Sequence, residues 1–303
     1  MKNTKALLSL AAAFVVLIYL TVNTRIGVHV VLDMIQGGDE GSVSYDASSG
    51  PLEVTRALTP IQQIALPAAV EQPSGIQHRR DLVYISTDQG ELFVLNGQFD
   101  LVSEAIQLIG GPLLFKQGLL EAIELVDEQL LAVGEFGAIR VWEPSGDSWR
   151  RIDDIALPPS IADGEFSGIA RLDSELVATS EDEPVIVDLR RGEVHELDFG
   201  SHLKDGADVS ALEFSGLASA NGLLYVLTET HSSVLVVDPD GYRVAAVYGI
   251  KGGPVADLAV RDGRAYVVVD HNYTEPRPPM YVYELPSLLD GEGLPRSSSP
   301  VTK

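Results

Sequence analysis

Five acidic residues recur at one spacing. Asp88, Glu135, Glu181, Glu229 and Asp270 each close a short apolar run, and each lies 14 residues after the first position of a small motif. The motifs are Ser74-Gly75-Ile76, Glu121-Ala122-Ile123, Ser167-Gly168-Ile169, Ser215-Gly216-Leu217 and Ala256-Asp257-Leu258. Carboxylates gathered around one mouth repel one another unless they are solvated, protonated or bridged by a cation. Calcium suits such a set, because it takes roughly six to eight oxygens and accepts carboxylates, carbonyls and water alike. A plain role as strand ends in solvent is the alternative for the same residues.

The elements that position these acids follow from the repeat. The first motif positions are separated by 47, 46, 48 and 41 residues, the length of one four-stranded propeller blade. Each motif leads into a polar turn (Arg80-Asp81, Asp127-Glu128, Asp173-Ser174, Asn221-Gly222, Asp262-Gly263) and then into the apolar strand that ends on the acid. Third strands are predicted at 92–95, 139–142, 185–188, 234–237 and 280–283, and fourth strands at 105–108, 152–157, 193–197 and 243–247. The fifth unit lacks a fourth strand, and residues 60–66 are expected to supply it, closing the ring and covering its edge. The predicted fold is all-β, a five-bladed β-propeller over residues 58–286 closed by an N-terminal strand. A turn centred near residue 81 sets Ser74 beside Asp88, Glu121 beside Glu135 and Ser215 beside Glu229. All five acids then share the face that carries the channel mouth, and Glu121, one strand nearer the axis, is the preferred cation ligand.

Ahead of the propeller, Lys2 and Lys5 precede an apolar run of 17 residues at 6–22. That is the short end of a membrane span and longer than a cleavable signal core, and no small-x-small cleavage site follows. Residues 1–25 are therefore expected to form one uncleaved transmembrane helix. Lysines before the run, against Arg25 alone after it, put the N-terminus in the cytoplasm and the propeller in the periplasm or cell exterior. Residues 26–57 read as a membrane-proximal segment and linker, and 287–303 as a disordered tail.

Composition narrows the partners. With 44 acidic against 21 basic residues the net charge is −23, which repels phosphate backbones and excludes nucleic acid. No cysteine is present, so disulfides, thiolate metal sites and a cysteine nucleophile are excluded. The six histidines show no metal-ligand spacing, although His231 and His271 closely follow two of the acids. No Gly-x-Ser-x-Gly elbow occurs. The loop at 270–280, with Tyr273, Arg277 and Pro278-Pro279, is the best candidate for contact with a protein partner.

Several of these elements resemble the SdiA-regulated domain family, bacterial propellers distantly related to the NHL-repeat group. The resemblance rests on Ser74-Gly75-Ile76, Leu120-Glu121-Ala122-Ile123-Glu124, Phe166-Ser167-Gly168-Ile169, the run from Gly222 through Tyr225 to Glu229, and the Asp238-Pro239-Asp240-Gly241 turn. It implies an N-terminal membrane segment and a bound Ca2+. Two departures stand out: Ala122 replaces a glycine, and Ala256-Asp257 replaces a Glu-Gly type pair. The leading functional expectation is a non-enzymatic, calcium-associated interaction module held at the inner membrane. The rival is a calcium-dependent hydrolase of lactonase or phosphoesterase type with its metal at the channel mouth, an analogy of fold.

Overall fold

Alternating branched apolar residues and short polar turns fold each repeat into an antiparallel meander. The computed structural model describes residues 47–108, 120–134, 138–146, 148–162, 164–180, 183–229, 231–250, 254–269 and 279–286. The expected anchor at 1–25, most of the loop at 270–280 and the expected tail at 287–303 lie outside them. Among the described residues no helix is long and apolar enough to cross a membrane.

Two short strands come first, β1 (Arg56–Ala57) and β2 (Gln62–Ala65). Blade one is β3 (Pro73–Arg79), β4 (Leu82–Thr87), β5 (Glu91–Leu95) and β6 (Ile106–Gln107). Blade two is β7 (Leu120–Val126), β8 (Gln129–Gly134), β9 (Ile139–Ser145) and β10 (Ser148–Ile155). Blade three is β11 (Phe166–Leu172), β12 (Glu175–Ser180), β13 (Val185–Asp188) and β14 (Glu193–Glu196). Blade four is β15 (Phe214–Ala220), β16 (Leu223–Thr228), β17 (Ser233–Asp238) and β18 (Arg243–Gly249). Blade five is β19 (Val255–Arg261), β20 (Arg264–Val269) and β21 (Pro279–Glu284). The fourth strand beside β21 is β2, and β1 lies parallel beside β18 as a fifth strand of blade four. The architecture is a five-bladed, all-β propeller.

Each inner hairpin turns in two residues, and the first of them has positive φ in every blade: Arg80, Asp127, Asp173, Asn221 and Asp262, all between 51° and 53°. Asn and Asp tolerate that left-handed region, which explains the polar turn in each repeat.

The apolar residues form five cores, one at each seam between neighbouring blades. The N-terminal segment contributes to three in succession. Leu52 joins the seam of blades three and four, Leu58 that of four and five, and Ile64 with Leu66 that of five and one. Residues 47–57, which composition assigns to the linker, are thus packed on the domain, with Leu52 only 1 % exposed. Lys204 fixes this stretch by donating from Nζ to the carbonyls of Ser48 (2.8 Å) and Gly50 (2.6 Å). The Glu53 amide donates to the carbonyl of His202 (2.8 Å) and that of Leu58 to the carbonyl of Gly249 (2.8 Å). Sparse apolar residues among Ser, Gly and Asp hide this role in the sequence, because the segment docks through a few anchors rather than a periodic face.

Near the axis the inner strands approach so closely that side chains are excluded. A Cβ on Gly168 would lie 2.6 Å from the Leu217 amide nitrogen on the next inner strand, and backbone there cannot yield. Gly97, in an outer loop, has only the Asp81 carbonyl at 3.8 Å from the same position. Gly168→Ala is therefore expected to destabilise the fold by about 1–3 kcal/mol in denaturant titration, whereas Gly97→Ala leaves stability unchanged or slightly raised.

Candidate functional site

In all five blades the inner strand carries a β-bulge at the same place. Pairing jumps from Pro73↔Thr87 to Gly75↔Ser86, from Leu120↔Gly134 to Ala122↔Val133, and from Phe166↔Ser180 to Gly168↔Thr179. It does so again from Phe214↔Thr228 to Gly216↔Leu227 and from Val255↔Val269 to Asp257↔Val268. The residues left out of the ladder are Ser74, Glu121, Ser167, Ser215 and Ala256, the first position of each motif. A bulge bends its strand and re-aims a side chain, and it recurs beside functional sites.

The bulges also correct the expected register. Ser74 does not face Asp88, nor Ser215 Glu229. The Asp88 amide donates to the carbonyl of Gln72 (3.2 Å) and that of Glu229 to the carbonyl of Glu213 (3.0 Å), two residues before each motif. The two-residue turn and the extra bulged residue together account for that offset. Asp88, Glu121 and Glu229 are half-buried at the bulged end of the ring. Glu135, Glu181 and Asp270 lie outside the described residues, and among those described no group of three or more His, Asp or Glu is arranged to hold a metal ion.

Hydroxyls crowd the same end. Ser74, Ser86, Thr87, Ser167, Thr179, Ser215 and Thr228 are all buried. Ser167 Oγ and Thr179 Oγ1 lie 3.3 Å apart, while the hydroxyls of Ser74, Ser86, Thr87 and Ser215 have no hydrogen-bond partner among the described residues. Buried polar atoms are ordinarily satisfied, so four orphans in one layer mark a place suited to water or a ligand. Every donor there is an oxygen.

Deeper in, two carboxylates occupy the axis. Asp257, 2 % exposed, stands where blades one, three and four have glycine. Its Oδ2 accepts from the amide of Ile76 on β3 (2.9 Å). The amides of Leu258 and of Leu217 on β15 also point at this carboxylate, so one side chain reaches three inner strands. By hydrogen-bond geometry Oδ1 has no partner. Burial pushes the Asp257 pKa well above the usual carboxylate range; the amides pull it down, and the charge of Glu124 adds to the rise. Glu124 lies on β7 of blade two, two positions beyond the residue that matches Asp257, with blade one between the two acids. It accepts from the Leu125 amide (3.0 Å) and from Gln77 Nε2 of β3 (2.9 Å). Burial raises its pKa to about 7, against the pull of the Leu125 and Arg171 amides and of Gln77. The sequence announces Asp257 only as a break in the small-residue pattern, and Glu124 only as the last residue of the 120–124 element, with no sign of its burial.

His78, His195 and His231 lie elsewhere. His78 is near the opposite end of β3, and His195 stacks on Tyr242 (4.1 Å between ring centroids). His231 is not at an open mouth: its ring fills the place a Gly50 side chain would take, within 2.4 Å of that Cβ position. Desolvation, with Lys204 nearby, lowers its pKa.

No family model and none of the curated proteins searched matches the chain. Solved structures do. The glutaminyl cyclase of Myxococcus xanthus is similar at a TM-score of 0.55 and 16 % identity, over 75 % of this chain and 97 % of that one. A putative oxidoreductase (glucose dehydrogenase) of Thermus thermophilus follows at 0.50 and 14 %, over 73 % and 99 %. Regucalcin of Agrobacterium tumefaciens, a calcium-binding protein, gives 0.45 and 10 %, over 77 % and 98 %. The fold they share with this chain is the β-propeller. At these identities the likeness reaches the fold and stops there.

The axial acids fix the sign of a pH effect. The unfolded chain releases the Glu124 proton near 4.5, whereas the folded protein keeps it to about 7. The contribution to stability is complete below the unfolded value and is lost as pH rises to the folded one, at up to ~1.4 kcal/mol per pH unit. Glu124→Gln, which has no such proton, is expected to flatten the decline in denaturation free energy between those two values.

Proposed function

We propose that this chain is a membrane-tethered, extracytoplasmic propeller of the SdiA-regulated type that acts as a calcium-associated interaction module. Residues 1–25 hold it at the inner membrane, the propeller faces the periplasm or cell exterior, and the loop at 270–280 meets a protein partner. Calcium is held at the bulged end by Glu121 together with a subset of Asp88, Glu135, Glu181, Glu229 and Asp270.

The observation that carries this reading is the stack of five bulges. They gather Ser74, Glu121, Ser167 and Ser215 at one end of the ring, where the hydroxyls of Ser74 and Ser215, with those of Ser86 and Thr87, are buried without partners. An oxygen-only donor set with carboxylates at its edge fits a hard cation, and the stricter octahedral demand of magnesium fits a pliable ring less well. The net charge of −23 favours cation entry. Bound calcium would neutralise the edge carboxylates and satisfy the orphaned hydroxyls directly or through water.

A ligand that binds only the folded state raises the melting temperature. Thermal unfolding of the full-length protein in detergent is therefore expected to shift upward with calcium and back with chelator, and Glu121→Gln is expected to shrink the shift. Superimposable curves would remove calcium from the account. The tether predicts that the protein stays in the membrane fraction after an alkaline carbonate wash. Release into the supernatant would refute it.

A further inference from the structure

At the opposite end of the ring from the bulges, the hairpins of blades one and five enclose a half-open cavity of about 550 Å³, within the range of small-molecule sites. We propose that this cavity binds a small aromatic monocarboxylate, its ring against Phe99 and Tyr266 and its carboxylate on the guanidinium of Arg264.

The aromatic wall is assembled from both blades. Tyr266 of β20 stands 4.3 Å from the His78 ring of β3 and 6.4 Å from the Phe99 ring, centroid to centroid. Phe99 takes φ of +67°, which a bulky residue adopts only under constraint. The constraint is visible in the loop: Asn96 Oδ1 accepts from the amides of Gln98 (2.8 Å) and Asp100 (3.0 Å), and the Phe99 amide donates to the Asn96 carbonyl (2.9 Å). Backbone strain held in place by its surroundings clusters at ligand sites. Here it delivers an aromatic ring to the edge of a mostly aliphatic seam.

Charge selects the ligand's sign. On a chain of net charge −23, the two hairpins bring together Arg79, Arg80, Arg261 and Arg264, against Asp81 and Asp262. Arg79 pairs with Glu128 (2.7 Å), and Arg261 is engaged by Asp262 (3.3 Å) and by the Arg80 carbonyl. Arg264 lines the cavity, and its guanidinium makes no hydrogen bond or ion pair with any described residue, the Glu284 side chain across the ladder included. Of the two arginines that line the cavity, Arg261 is engaged and Arg264 is not, and one such guanidinium takes one carboxylate as a two-pronged pair. The flanking Asp81 and Asp262 disfavour a phosphate or a second negative group. His78 adds no competing charge, since burial and then Arg261 lower its pKa to about 4.

The test uses full-length protein and the probes phenylacetate, 2-phenylethanol and 2-phenylethylamine, followed by ligand-observed NMR titration. Phenylacetate is expected to bind saturably and the other two at least about tenfold more weakly, the loss for a charged hydrogen-bonded pair. Arg264→Gln, at an exposed position, is expected to weaken phenylacetate by a similar factor with the melting temperature unchanged. Failure of phenylacetate to saturate, preference for the amine, or equal binding by wild type and Arg264→Gln would overturn the proposal. The probe series on wild type decides it even if the variant does not fold. Calcium plays no part, so this outcome is separate from that of the calcium titration.

Discussion

Five strands cannot converge on one axis unless something gives way to their backbones. Here it is the side chain at the second position of each motif. Gly75, Gly168 and Gly216 leave room for the next strand's backbone, Ala122 intrudes by a single methyl, and Asp257 alone extends a functional group into the space. The seams, the bulges and the buried acids are arranged around that convergence. The bulge sits one residue before the small position in every blade, where the strand must bend away from its neighbours as it leaves the axis.

Asp257 shows how the fold accommodates a carboxylate at its centre. A buried carboxylate costs several kcal/mol unless it is hydrogen-bonded or neutral, and this one is reached by amides from its own and two other inner strands. Glu124 repeats the solution nearby with the Leu125 and Arg171 amides and the Gln77 carboxamide. Both acids therefore join blades distant in sequence and favour the protonated form. The bulged end above them is lined instead by half-buried acids and by hydroxyls. The ring thus offers two environments, a centre of buried carboxylates and an end lined by half-buried acids and buried hydroxyls.

Much of this was legible in the residues. The motif spacing counts five blades, the polar turn after each motif falls at a positive-φ residue, and third strands at 185–188 and elsewhere match within a residue or two at most ends. The register at the acids was not legible, since a bulge adds a residue without changing composition, and Ser74 looks no different in or out of a ladder. Asp257 was visible as an exception, yet its burial depends on three strands that no local pattern brings together. Arg264 and Phe99 were hidden for the same reason: they meet only because the last repeat lies beside the first. The packing of 47–57 was masked by composition, as Leu52 and Leu58 stand isolated among turn-forming residues.

That N-terminal stretch gives the ring a mechanical asymmetry. From Ala47 the chain passes Leu52 and the Lys204 contacts, runs parallel to β18 of blade four and only then reaches β2. Tension applied from the N-terminal side is therefore borne first by Leu52 in its seam and by the Ser48 and Gly50 carbonyls. The pairing of β2 with β21, which completes the circle, is shielded from the load until those fasteners yield. In order along the chain, the Leu52 and Lys204 contacts and the β1–β18 pairing therefore stand between Ala47 and the β2–β21 pairing.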